Sequence, residues 1–111
     1  MARLNSDREQ TLGQIADLER EFAAIVASAA DGSAGGDDEH DPEGATVAFE
    51  RQHVAALLDR ARDHLEAIDQ ARRKVDAGRY DLCDICGQPI AAERLAARPA
   101  ALTCVRCAAA R

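Results

Sequence analysis

The sequence predicts a mainly α fold, an antiparallel two-helix coiled-coil hairpin followed by a small C-terminal base that four cysteines hold together. Two long stretches predict the hairpin, because their apolar residues recur at alternating three- and four-residue steps. Four cysteines in two close pairs predict a metal site near the C-terminus. The chain has 111 residues but only two phenylalanines, one tyrosine and no tryptophan, so a thick apolar core is not expected. Small cores of this kind commonly need a bound metal or a disulfide.

The first predicted helix covers about residues 4–30. No proline interrupts it, and Arg8 is the one break in its apolar stripe. The stripe consists of Leu4, Thr11, Ile15, Leu18, Phe22, Ile25 and Ala29. A repeat of 3.5 residues is typical of a helix that packs along another helix.

The second predicted helix covers about residues 43–77. Its stripe consists of Val47, Val54, Leu58, Ala61, Leu65, Ile68 and Val75, with Arg51 and Arg72 in the gaps. Asp41 is the predicted N-cap and Pro42 the first helical residue, while Gly78 marks the end of the helix. Antiparallel pairing of the two stripes makes residues 1–78 a helical hairpin.

The predicted loop between the helices, residues 31–44, carries the whole negative excess of the chain. It contains six acidic residues and no lysine or arginine, whereas the full sequence has 20 acidic and 14 basic residues. The loop forms the tip of the hairpin. A flexible, soluble connector would explain this composition without a partner. A tip that is attracted to a cationic partner surface is the second interpretation.

The cysteines lie in a predicted zinc-finger domain, residues 79–111, with the spacing C-x2-C-x17-C-x2-C. The predicted ligands are Cys83, Cys86, Cys104 and Cys107. Four thiolates complete a tetrahedron around one zinc ion and leave no position for water, so the site is predicted to be structural. An iron–sulfur cluster also uses four cysteines, and a redox pair would need a βαβ context. A nucleic-acid-binding zinc ribbon is the main rival, disfavoured by the net charge of −6 and the few aromatics.

Other functional classes find little support in the sequence. No apolar run is long enough to span a membrane, and the N-terminal segment lacks an apolar signal core, so a cytoplasmic location is expected. No nucleophile motif, phosphate-binding loop or catalytic zinc pattern occurs, and the protein is therefore predicted not to be an enzyme. His40, His53 and His64 are interpreted as solvated side chains rather than as a second metal site.

The segments GRYDLCDICGQPI and RLAARPAALTCVRC, placed after a helical hairpin, resemble the DksA/TraR C4-type zinc-finger family over roughly residues 40–107. The resemblance implies a protein that binds bacterial RNA polymerase rather than DNA. It further implies that the hairpin enters the secondary channel and modulates initiation. The family's tip motif D-x-x-D-x-A falls on His40, Glu43 and Ala45, with Asp41 adjacent. Asp41, Glu43 and Ala45 are therefore the predicted tip residues.

The resemblance also implies a site for the alarmone guanosine tetraphosphate at the polymerase interface. Arg60 matches one of the basic positions of that site, whereas two others fall on Ala67 and Ala108. Because each missing cation removes charge-assisted hydrogen bonds, weak or absent alarmone binding is expected. The alternative function is that of a zinc-stabilised helical adaptor for another protein or a ribosomal partner.

Overall fold

The computed structural model describes residues 1–33 and 42–110, with side chains for residues 1–28 and 45–110. The chain forms four helices, α1 (Ala2–Ser33), α2 (Pro42–Asp76), α3 (Ala92–Ala97) and α4 (Val105–Ala109). Within the described residues, extended pairing is limited to an isolated antiparallel bridge between Leu82 and Pro89. The prediction of a mainly α fold with two long helices is confirmed.

The long helices extend slightly into the segment that the sequence assigned to the tip loop. Helix α1 runs to Ser33 and α2 begins at Pro42, the residue expected at its first position. The predicted N-cap, Asp41, lies outside the described residues. Residues 34–41 are therefore the part of the acidic loop that joins the two helices in sequence.

The end of α2 is set by a glycine in the left-handed conformation. Gly78 has a φ of 73° and donates its N–H to the Val75 carbonyl at 3.1 Å. The next N–H, that of Arg79, reaches back to the Lys74 carbonyl at 2.8 Å. These two hydrogen bonds form a Schellman motif, which satisfies carbonyls that the helix end would otherwise leave without partners. The predicted helix stop at Gly78 is confirmed.

The contacts divide the chain into two compact units, one made of Met1–Leu12 with Asp63–Arg111 and the other of Gly13–Arg62. In the second unit, α1 and α2 bury apolar residues of both predicted stripes, namely Ile15, Leu18, Val54, Leu58 and Ala61. Glu19 pairs with Arg62 at 3.7 Å, and Ile25 lines one surface cavity with Val47. As the residue number on α1 increases, the residue number of the neighbour on α2 decreases, so the two helices are antiparallel. The zinc-finger domain boundary at residues 78 and 79 stays a prediction.

The first unit has its own core at the start of α1 and the end of α2. Leu4, Ile68 and Ala71 are buried there, and Val75, Tyr80, Ala100 and Leu102 pack against them. Ala71 is fully buried, whereas the neighbouring Arg72, which the repeat places in the stripe, is only partly buried. Arg8, the break in the first stripe, donates its Nε–H to Asp69 Oδ1 at 2.8 Å. An ion pair with α2 thus replaces an apolar contact at that position.

Candidate metal centre

The first cysteine pair lies on a tight turn that follows the Schellman motif. Cys83 donates its N–H to the Gln88 carbonyl at 2.8 Å, and Gly87 donates its N–H to the Cys83 carbonyl at 3.0 Å. Gly87 has a φ of 73°, a conformation that favours glycine because a side chain would be strained there. The turn presents Cys83 and Cys86 on the same side of the backbone.

The second cysteine pair lies at the start of α4. Cys104 occupies the N-cap position, and Cys107 follows within the helix. The N–H of Ala108 bonds to the Cys104 carbonyl at 2.9 Å, which fixes the spacing of the pair. Asp84, between the first two cysteines, donates its N–H to the Leu102 carbonyl at 2.9 Å. This backbone hydrogen bond connects the two cysteine turns.

The four sulfur atoms converge on one point. They all lie within 4.8 Å of one another, and the Sγ atoms of Cys86 and Cys104 are 3.8 Å apart. A Zn–S bond of about 2.3 Å in a tetrahedron gives sulfur–sulfur edges of about 3.8 Å. All four cysteines are free thiols rather than disulfide-bonded. Both the donor set and its spacing therefore fit a single zinc ion with four thiolate ligands.

The protein environment favours thiolate at two of the four positions. The Cys86 backbone N–H lowers the pKa of Cys83 to about 6, and the Cys107 backbone N–H lowers the pKa of Cys104. Hydrogen bonding to the Cys104 sulfur raises the pKa of Cys107 to about 12. Metal binding requires deprotonated cysteines and releases the remaining protons. The backbone N–H groups thus stabilise part of the negative charge that attracts a metal cation.

Lys74, in the last turn of α2, holds the backbone around Cys83. Its Nζ donates to the Leu82 carbonyl at 2.6 Å and lies 3.0 Å from Asp84 Oδ1. The side chain is only 12% exposed, so these contacts are largely shielded from water. This role of Lys74 is not evident from the sequence, because a basic residue at a helix end is sufficiently explained by the helix dipole.

Two further hydrogen bonds lie within the base, and a third connects it to α1. The Tyr80 hydroxyl donates to the Pro99 carbonyl at 2.8 Å, and burial raises the Tyr80 pKa. Arg94 Nε–H donates to the Thr103 carbonyl at 2.8 Å, next to Cys104. Arg3 of α1 donates to the Ala96 carbonyl at 2.5 Å. Together with the contact of Lys74, the Arg3 hydrogen bond connects the base to both α1 and α2.

The same unit contains a cavity of about 500 Å³. Among its lining residues are Arg3, Asp7, His64, Ala67 and Arg98. Ala67 is one of the positions at which the family resemblance leads to an expected cation. Sequence analysis did not predict that Arg3 and Arg98 line one cavity, because they are far apart in the chain.

The described contacts do not include the predicted tip residues. Asp41 is outside the described residues, and for Glu43 only its place in α2 is described. Ala45 is exposed on α2. Of the histidines, His53 stacks on Phe49 and His64 lines the cavity, whereas His40 is outside the described residues. The role of the tip stays a prediction.

Within the described part of the chain, the helices include no segment with the length and apolar character of a membrane span.

A pair of antiparallel helices followed by a four-cysteine base defines a helical protein with a C4 zinc finger. Residues 78–111 match the family described as prokaryotic dksA/traR C4-type zinc finger. The predicted resemblance to the DksA/TraR zinc-finger family is confirmed for this segment. The family match and the cysteine geometry together confirm the prediction of one structural zinc ion.

Several named proteins share this similarity. The RNA polymerase-binding transcription factor DksA of Caulobacter vibrioides is 49% identical over 43 residues, which cover 39% of this chain and 30% of the relative. The protein of the same name from Haemophilus influenzae is 39% identical over 49 residues, 44% of this chain and 34% of the relative. The uncharacterized protein YteA of Bacillus subtilis is 36% identical over 66 residues, 60% of this chain and 28% of the relative. The chain thus spans about a third or less of these relatives.

A solved structure extends the likeness to the helices. Transcription factor DksA2 from Pseudomonas aeruginosa is similar over 99% of this chain and 83% of its own chain. The TM-score is 0.53 and the sequence identity is 28%.

Proposed function

We propose that this protein is a non-enzymatic bacterial transcription regulator that binds RNA polymerase directly. In this proposal the helical hairpin enters the secondary channel of the polymerase and its tip modulates initiation. The observation that carries the proposal is the likeness to transcription factor DksA2 over 99% of the chain, helices and base together. The relatives named as polymerase-binding factors, which match parts of the chain, support the same partner.

The base supplies a rigid platform in this function. Cys83, Cys86, Cys104 and Cys107 are the proposed ligands of the zinc ion, whose four sulfur contacts leave no coordination position for substrate. The chemistry that the ion supplies is structural. Lys74 fixes the first cysteine turn against the end of α2, while Tyr80 and Arg94 make hydrogen bonds within the base.

The tip supplies the regulatory contact. Asp41, Glu43 and Ala45 are the proposed acting residues, and the surrounding carboxylates attract the tip toward a cationic channel. The small side chain of Ala45 permits close approach. The protein works in the cytoplasm without sequence-specific DNA binding. It responds weakly or not at all to guanosine tetraphosphate, because Ala67 and Ala108 provide no cation.

The tip proposal is tested by the double variant Asp41→Asn with Glu43→Gln. We expect unchanged zinc content and helicity, and largely preserved binding to polymerase. The effect on transcription should be lost in an assay with purified components. The matched control is Glu9→Gln with Asp76→Asn, which removes the same two charges at exposed positions elsewhere. The control should regulate as the parent does.

Two results would contradict the proposed function in different ways. A tip variant that regulates as well as the parent would make the acidic segment a simple connector. A parent protein that fails to bind purified polymerase but retains ribosomal or other proteins would favour the helical adaptor instead.

A further inference from the structure

One face of α2 in the second unit is free of acidic residues, although that unit is the acidic part of the chain. Segment 13–62 contains eleven acidic and four basic residues, a net charge of −7. At about 100° per residue, the residues of this unit from Ala45 onward on α2 that lie within about 60° of Phe49 carry no negative charge. This face, here called the Phe49 stripe, consists of Ala45, Thr46, Phe49, Gln52, His53, Ala56 and Arg60, all exposed.

Phe49 is the most prominent member of the stripe. Its side chain is 71% exposed, the highest fraction among the large apolar residues that the structure describes. Its ring stacks on that of His53, one helical turn away, with centroids 6.5 Å apart and planes within 4° of parallel. Stacking limits the freedom of both rings, so less entropy is lost when a partner covers them. An exposed, preorganised aromatic ring is the kind of residue that dominates binding energy at interfaces.

The charges beside the stripe indicate what covers it. Glu50 and Asp59 lie on its two sides, at about 100° and 80° from Phe49 around the helix. Both carboxylates are exposed. From Ala45 to Ala56 the stripe is therefore uncharged at its centre, with acidic residues on both sides and Arg60 at its far end. Its complement is a surface with an apolar centre and a basic rim.

We propose that the Phe49 stripe is a docking surface for such an apolar, basic-rimmed segment of the protein partner. This inference rests on the proposed function, in which the partner is RNA polymerase. The stripe starts at Ala45, one of the proposed tip residues, and its uncharged part runs about 17 Å along α2 to Ala56. The contact made by the tip thus continues along one side of the helix, with Phe49 at its centre.

A second copy of the chain does not fit this surface as well. Two copies would bring the same net charge of −7 per unit into contact, and like charges across an interface oppose association. The acidic rim therefore favours a different, basic partner.

The test compares the full-length, zinc-loaded parent with Phe49→Ala for binding to purified RNA polymerase. Truncation of a central aromatic residue should weaken binding about tenfold or more. The matched control is Val26→Ala, which removes an exposed apolar side chain from α1 of the same unit. It should bind within about twofold of the parent, because Val26 lies on α1, outside the stripe. Circular dichroism and zinc content should match the parent in both variants.

A second measurement does not depend on removing the side chain. A photoreactive phenylalanine analogue at position 49 should crosslink to a polymerase subunit, and it should do so with a clearly higher yield than the same analogue at position 26. If the parent binds but Phe49→Ala binds equally well, the stripe is not the docking surface and the proposed function stands. If the parent does not bind polymerase, the proposed function fails and the partner named here fails with it. A parent dimer that Phe49→Ala dissociates would also overturn the inference.

Discussion

At the scale of single residues, Lys74 has the most direct influence on the metal site after the cysteines themselves. It binds the carbonyl that precedes Cys83 and the carboxylate that follows it. Groups that orient metal ligands from outside the coordination sphere commonly change metal affinity by about 10- to 100-fold when they are removed. Lys74 acts on the backbone rather than on a sulfur atom, so we expect its effect on metal affinity to lie at the lower end of this range.

We therefore expect the zinc affinity of Lys74→Met to be about tenfold lower than that of the parent. The measurement is competition with a chromophoric chelator at neutral pH. The control is Arg73→Met, because Arg73 makes only an exposed ion pair with Glu66. If Lys74→Met retains zinc as strongly as Arg73→Met, the contacts of Lys74 serve only to pack the helix end.

At the scale of the elements, two glycines allow a helix interior to be compared with a helix end. Gly13 lies within α1 and Gly78 has a φ of 73°, and a Cβ atom added at either would meet nothing within 4 Å. The substitution to alanine should therefore act through the backbone alone. Alanine is the better residue inside a helix and is strained in the left-handed conformation.

The two substitutions should change stability in opposite directions. We expect Gly13→Ala to raise the free energy of unfolding by about 0.5–1 kcal/mol. Gly78→Ala should lower it by about 1–2 kcal/mol. Denaturant unfolding of the zinc-loaded proteins measures both values, and each variant serves as the control for the other. A neutral Gly78→Ala would mean that the Schellman motif does not limit stability.

At the scale of the whole molecule, the zinc ion supports one compact unit more than the other. The four cysteines belong to the unit made of Met1–Leu12 and Asp63–Arg111. The unit Gly13–Arg62 is held by packing of α1 on α2 and contains no cysteine. Structural zinc contributes on the order of 10 kcal/mol in small domains, far more than any single contact described above.

We expect Cys104→Ser to lose zinc and to unfold the base, while much of the helicity of the second unit survives. Metal analysis should find well under one zinc per chain, and hydrogen exchange should show protection lost in residues 79–110 before residues 13–28. Cooperative loss of all helical structure would contradict this view, and so would full zinc occupancy in the variant.

The sequence alone determined the features that depend on local spacing. The 3.5-residue repeats placed both long helices because one face of each must be buried, and Gly78 ended α2 because it lacks a side chain. The cysteine spacing identified the zinc site because two residues between cysteines suffice to turn both sulfur atoms toward one ion. These features need no knowledge of which distant residues meet.

Only the tertiary structure decided the contacts between residues far apart in the chain. Arg8 breaks the first stripe but finds Asp69 across the helix pair, and Ala71 rather than Arg72 fills the core. Lys74 reaches the first cysteine turn because the Schellman motif reverses the chain beneath it. The exposure of Phe49 likewise follows from which face of α2 packs against α1. A repeat fixes the buried face approximately, whereas the geometry of packing selects the atoms that touch.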